Sequence, residues 1–129
     1  MLRVPTVVAP SAIEGVGLFA TSPIPAGTLI WEFTHGVDWR IPADDLPKFP
    51  EPYRTWLMKY LYREPSGLYV LCGDAGKYMN HSYEPNCDDL EGPTRTIARR
   101  DIAAGEELTS DYRLFDLDSQ TNGRIELYR

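Results

Sequence analysis

Cysteine is scarce, with two in 129 residues, Cys72 and Cys87. They could form one bridge at most, which excludes a secreted disulfide framework. With His35 and His81 they show no CxxC or HxxxH spacing, so no metal site and no zinc is predicted. Long apolar runs are missing as well, and no stretch approaches the length of a membrane span. The opening MLRVPTVVAPSAIEG carries one Arg and is broken by Pro5 and Pro10, a poor signal peptide. The expectation is an intracellular protein of cytoplasm or nucleus, not secreted, in which the Asn80-His81-Ser82 sequon is accidental. Positive charge is in deficit: 13 Lys and Arg against 19 Asp and Glu give a net charge of -6. That argues against direct nucleic-acid binding and for a basic protein or peptide partner. Nor is there room for a second domain, so residues 1–129 are read as one domain, of a size that removes roughly two-thirds of the unfolded chain's surface from water.

What is present is an ordinary globular balance, 43% hydrophobic and 25% charged. Short β-branched and aromatic runs between Gly and Pro turn signals, at Thr28–Thr34, Leu68–Cys72 and Glu107–Tyr112, read as strands, so the fold class is mainly β with several small sheets. One helix stands out. From Pro52 to Arg63 the residues Tyr53, Trp56, Leu57, Tyr60 and Leu61 recur at helical spacing, a stripe expected to face the core, with Pro65 blocking continuation. ATSPIPAG (Ala20–Gly27) and ARRDIAAG (Ala98–Gly105) share Ala, Ile, Ala and Gly at the same offsets and suggest two related hairpins.

Three segments could carry chemistry. Gly15-Val16-Gly17 permits a sharp turn and close backbone approach to a ligand, although a lone GxG is more often a hairpin turn. The absence of a third glycine and a following helix argues against a dinucleotide fingerprint. Asn80-His81 offers an amide donor and acceptor beside two ring nitrogens, able to read a base edge or a carboxylate, or to satisfy a local turn. Tyr112 closes the run GEELTSDY, where an aromatic is ordinarily core or rim.

Taken in order, GxG, IPAGTLIWEF, KYMNHSYEPNC and GEELTSDY resemble the SET-domain protein-lysine methyltransferase family from about Ile13 to Tyr112. The resemblance implies a fold of small twisted sheets of the β-clip type with one or two short helices and a knot-like C-terminal threading, a rare topology. It implies S-adenosylmethionine as methyl donor, held by Gly15, Val16, Gly17, Asn80 and His81, with Tyr112 as the catalytic tyrosine. Residues 38–66 correspond to the family's variable insert, with the helix at about 52–63, and residues 113–129 to a C-terminal flank.

Departures from the family pattern shape the rest. Many relatives place a zinc-binding cysteine-rich segment after the tyrosine, whereas Arg113–Arg129 has none, so Cys87 is expected to be a buried thiol. Closure of the substrate channel then falls to Leu114, Phe115 and Tyr128, with Ser110 also in the channel. Ser110 replaces a bulky aromatic and leaves room for more than monomethylation. Asp44, Asp45, Glu84, Asp88, Asp89 and Glu91 are candidates for steering a basic substrate to the mouth. The resulting expectation is methyl transfer to lysine in a histone-like or other basic protein. The alternative is a catalytically weak module that binds cofactor or peptide and docks a partner. A homodimer could complete the groove of so small a chain.

Overall fold

The computed structural model describes residues 1–89, 94–114 and 116. Among the described residues ten short strands run in chain order: β1 (Thr6–Pro10), β2 (Val16–Ala20), β3 (Leu29–Glu32), β4 (Trp39–Ile41), β5 (Tyr62–Arg63), β6 (Tyr69–Leu71), β7 (Asn80–His81), β8 (Cys87–Asp88), β9 (Arg95–Ala98) and β10 (Thr109–Ser110). The helix α1 (Tyr53–Tyr60) lies between β4 and β5, and short 3₁₀ segments cover Ala43–Lys48, Ala75–Tyr78 and Tyr112–Leu114. The strands make four small sheets: β1-β2, β10-β7, β3-β9-β8 and β4-β6-β5. All neighbours are antiparallel except β10 and β7. The mainly β architecture read from the sequence is therefore observed, with strands trimmed to the residues that find a partner. Of Glu107–Tyr112, only Thr109–Ser110 forms a strand.

The helix is shorter than its periodicity predicts. It ends at Tyr60, and Leu61 is already extended, with φ −75° and ψ 146°. Two tertiary demands outweigh helical propensity here: Leu61 is 1% exposed in the core, and Tyr62–Arg63 pair with β6. The aromatic stripe also departs from the core role expected of it. Leu57 is fully buried, but Tyr53 and Trp56 are 43% and 41% exposed. They stack on one another along the outer helix surface instead, with Tyr53–Trp56 centroids 5.8 Å and Trp56–Tyr60 centroids 5.0 Å apart, the i,i+3 and i,i+4 spacing that brings helical neighbours into contact.

The internal sequence echo has a structural counterpart. Ile24 and Ile102 exchange backbone hydrogen bonds, each 2.8 Å, while Gly27 N–H donates to Ala98 O at 2.8 Å and Gly105 N–H to Ala20 O at 2.7 Å. Each copy thus bonds the other at equivalent positions, a local pseudo-twofold pairing. Its two glycines have φ of +83° and +88°, a left-handed region that strains any side-chain-bearing residue.

Buried apolar side chains fall into two clusters. The larger contains Leu18, Ile24, Ile30, Trp31, Cys72, Cys87, Ile102 and Leu108. The smaller, of Leu46, Leu57, Leu61 and Tyr69, lies under the 38–66 insert. Their seam is where the site forms.

Candidate active site

The parallel pair β7–β10 brings distant segments together, with Thr109 opposite Asn80 and Ser110 opposite His81. Tyr112, two residues beyond β10, thereby reaches the NHS stretch although about thirty residues separate them. Its N–H donates to His81 Nδ1 at 3.1 Å, and its hydroxyl donates to the Met79 carbonyl. His81 is 4% exposed, and its ring stacks at an angle on Tyr112 with centroids 5.4 Å apart.

Asn80 is the hub of the opposite wall. Its amide nitrogen lies within hydrogen-bonding distance of Glu14 O (3.2 Å), Val16 O (3.0 Å), Ser11 Oγ (3.2 Å) and Glu107 Oε2 (3.0 Å). The Ser11 hydroxyl donates to the same carboxylate, 2.7 Å from Oε1. This network fixes the Gly15-Val16-Gly17 turn, in which Gly15 has φ +45°. The role of Gly17 is spatial. A Cβ there would lie 2.6 Å from Glu107 Oε2, so only glycine admits the carboxylate that ties the turn to Asn80. Asn86 supports the same wall: its amide nitrogen donates to Glu107 O at 2.8 Å and its Oδ1 accepts from Thr109 N–H at 2.9 Å.

Two cavities flank Met79 and Tyr112. The smaller, about 40 Å³, is lined by Glu14, Gly15, Val16, Tyr78 and Asn80. The larger, about 70 Å³, is lined by Trp31, Leu61, Tyr62, Cys72, Asp89, Thr96, Ser110 and Asp116. Met79 and Tyr112 line both, as do Lys59, Tyr60 and Lys77. The larger cavity occupies the seam between the clusters, taking Trp31 and Cys72 from one and Leu61 from the other.

Of the residues singled out in the sequence, Gly15, Val16, Asn80, Ser110 and Tyr112 line these cavities. Gly17 and His81 sit behind the walls, contacting Glu107 and Tyr112 respectively. Leu114 is 59% exposed and lines neither cavity. Phe115, Tyr128 and Glu91 lie outside the described residues. Among the acidic candidates for the mouth, Asp89 lines the larger cavity itself, whereas Asp45 forms an exposed pair with Lys48 at 2.8 Å.

Sequence reasoning passed over Met79, Trp31, Tyr62 and Asp116. Trp31 and Met79 fall inside the quoted motifs and so carried a detectable signal. Tyr62 and Asp116 reach the cavity only through folding of the insert and of the segment beyond Tyr112.

The electrostatics differ from group to group. Burial raises the Asp89 carboxyl to about 6, helped by the charges of Asp88 and Asp111 and opposed by Thr96 and Ser110. Asp111 is also pushed up by burial, but hydrogen bonds from Arg113 outweigh this and hold it below the usual carboxylate range. The Cys87 thiol, 1% exposed, is driven to about 12 by burial and by Asp89. It is therefore a protonated core group rather than a thiolate nucleophile.

The SET domain family model matches residues 15–113. A histone-lysine N-methyltransferase, H3 lysine-4 specific, from Mycosarcoma maydis is 36% identical over 114 residues, covering 81% of this chain and 8% of the relative. Human histone-lysine N-methyltransferase 2B is 34% identical over 121 residues, covering 87% of this chain and 4% of the relative. The chain thus spans less than a tenth of the length of either. The crystal structure of the Chaetomium thermophilum polycomb repressive complex 2 contains a chain that superimposes with a TM-score of 0.64 at 26% identity, over 84% of this chain and 15% of that one. The match across both cavity walls, from Gly15 to Arg113, settles the family: this chain belongs to the SET-domain family.

Proposed function

We propose that the chain catalyses S-adenosylmethionine-dependent methyl transfer to the side-chain amine of a lysine in a basic protein. The observation that carries this reading is the meeting of two cavities at Tyr112 and Met79. In-line displacement needs donor and acceptor to approach one point from opposite sides, and most of its acceleration comes from that positioning.

The smaller cavity, about 40 Å³, suits one end of the methyl donor rather than the whole of it. Its wall combines a backbone turn open to close approach with an Asn80 side chain whose nitrogen is committed to that turn, leaving Oδ1 to accept from a ligand. When bound, S-adenosylmethionine supplies a methyl group activated by a sulfonium. Gly15, Val16 and Asn80 hold it, Gly17 supports the turn through Glu107, and His81 positions Tyr112 by accepting its N–H.

The larger cavity suits an aliphatic amine. Trp31, Tyr60, Leu61 and Tyr62 enclose the alkyl stem and exclude water. Tyr112 donates its hydroxyl hydrogen to Met79 O, so its oxygen presents lone pairs to an amine N–H. A free lysine has a pKa of about 10.4 and must lose a proton before attack, which an apolar enclosure favours. The names of the relatives make core histones the first substrate to test and the nucleus the proposed location. The net charge of -6 suits a basic partner.

The test is label transfer from S-adenosylmethionine to core histones by the parent and by Tyr112→Phe. The parent should transfer label, and the variant should lose about two orders of magnitude in kcat, the scale of one positioned polar group, while still binding cofactor. A parent that binds S-adenosylmethionine but transfers nothing would make the chain a docking module instead.

A further inference from the structure

Asp89 is the conspicuous group of the larger cavity that the scheme above leaves unused. Its Oδ1 accepts a hydrogen bond from Thr96 Oγ1 at 2.6 Å. Its Oδ2 is shielded from solvent and accepts no hydrogen bond among the described residues, the neighbouring Ser110 hydroxyl being directed to Met79 Sδ at 3.1 Å. No cation pairs with it among those residues, although Lys59 and Lys77 line the same cavity. The second carboxylate there, Asp116, differs in that its Oδ1 accepts from Arg63 N–H at 3.0 Å.

A shielded carboxylate oxygen without a partner costs stability, because it gives up hydration and receives nothing in return. Such a cost is expected where a ligand completes the pairing. A donor in the same cavity is in the same condition, since Trp31 Nε1 is buried without a hydrogen-bond partner among the described residues. The rest of the lining is mixed, with Leu61, Tyr62 and Met79 beside Lys59, Lys77 and Asp116. A ligand group that completes Asp89 Oδ2 must be a donor, and a cationic one also answers its charge, whereas Trp31 Nε1–H calls for an acceptor and is left to another group.

On the methyltransferase reading of this site, we infer that Asp89 recognises the incoming lysine ammonium, anchoring it by charge in the larger cavity. Its role is to bind the substrate in its ground state. A carboxylate that holds the ammonium stabilises the protonated amine, which must still shed its proton before the nitrogen lone pair attacks the methyl carbon. Asp89 therefore lowers KM without raising kcat, the signature of an interaction made before the transition state. A residue needed only for folding would behave differently, since its loss would lower kcat, cofactor affinity and Tm together.

The experiment compares the parent with Asp89→Asn and Asp89→Glu, using core histones and S-adenosylmethionine at pH 8. Asn keeps an acceptor for Thr96 and removes the charge. For Asp89→Asn, the KM for histones should rise about tenfold, with kcat unchanged or higher, the Kd for S-adenosylmethionine within twofold of the parent's, and Tm at or above the parent's. Asp89→Glu, which keeps the charge, should recover at least half of the lost kcat/KM. A parental KM for histones in Asp89→Asn, or a loss confined to kcat, overturns the assignment while the active parent upholds the methyltransferase reading. An inert parent overturns both.

Discussion

The two walls that meet at Tyr112 are built on opposite principles. Around Asn80 the polar groups form a closed network: one amide nitrogen, the Ser11 hydroxyl, two backbone carbonyls and the Glu107 carboxylate bind one another. Around Asp89 the cavity keeps a shielded acceptor and a shielded donor without partners among the described residues. The first wall is finished before any ligand arrives. On the assignment proposed above, a substrate ammonium completes the second at Asp89. A protein that holds a large, constant cofactor gains from a rigid cradle, whereas a site for a transient side chain gains from groups whose best partner is the substrate.

The comparison can be broken most severely at Asn80. Asn80→Ala removes the donor shared by four acceptors and leaves Glu107 partly unsatisfied, at a cost of about 3 kcal/mol. Calorimetry should show affinity for S-adenosylmethionine reduced about a hundredfold, with a lowered Tm. Gly17→Ala attacks the same network through space. The added Cβ at 2.6 Å from Glu107 Oε2 should cost about 1–3 kcal/mol by overpacking. Because the clash is with a single side chain, Gly17→Ala combined with Glu107→Ala should lose less, on chemical denaturation, than the two separate losses added.

The other wall responds with the opposite sign. In the fold Asp89 titrates at about 6, above the value of about 3.9 for an unfolded aspartate. The native state therefore binds more protons across that window, and this group's contribution to stability falls as pH rises from about 4 to 6 and stays low above it. Asp89→Asn should remove that fall and stabilise the protein by about 1–3 kcal/mol at pH 8, with little difference near pH 4. Denaturant midpoints measured across pH check this.

The smallest expected effect on total turnover is at Ser110, which is 2% exposed with its hydroxyl 3.1 Å from Met79 Sδ. The parent should build di- or trimethyl-lysine at exhaustive turnover. Ser110→Tyr should shift the product toward monomethyl-lysine by filling part of a cavity of about 70 Å³. Intact-mass spectra of the product report the ratio.

Much of the smaller cavity could be read in advance, because its parts are local. Gly15, Val16 and Asn80 sit in short motifs whose residue types state their own requirements, a tight turn and a two-faced amide. The pairing of Ile24 with Ile102 was foreshadowed in the same way by a repeated string. The aromatic stripe of the helix was misleading, because helical periodicity shows which residues share a face and not whether another element covers it. Tyr53 and Trp56 share a face with Leu57 in the sequence pattern yet remain exposed.

What the sequence determined by itself is the set of turns and the choice of Gly15, Gly17 and Asn80 as special positions, since those follow from glycine's conformational range and from donor and acceptor chemistry; that Ser11 and Glu107 tie them together came only from the fold. What only the tertiary structure decided is how the two cavities divide at Tyr112. That division depends on the parallel pairing of β7 with β10 and on the seam between two apolar clusters. The same packing carries Asp89 from a run of acidic residues into an enclosed wall. Charge is written in the sequence, but desolvation is a property of the neighbours that folding assembles.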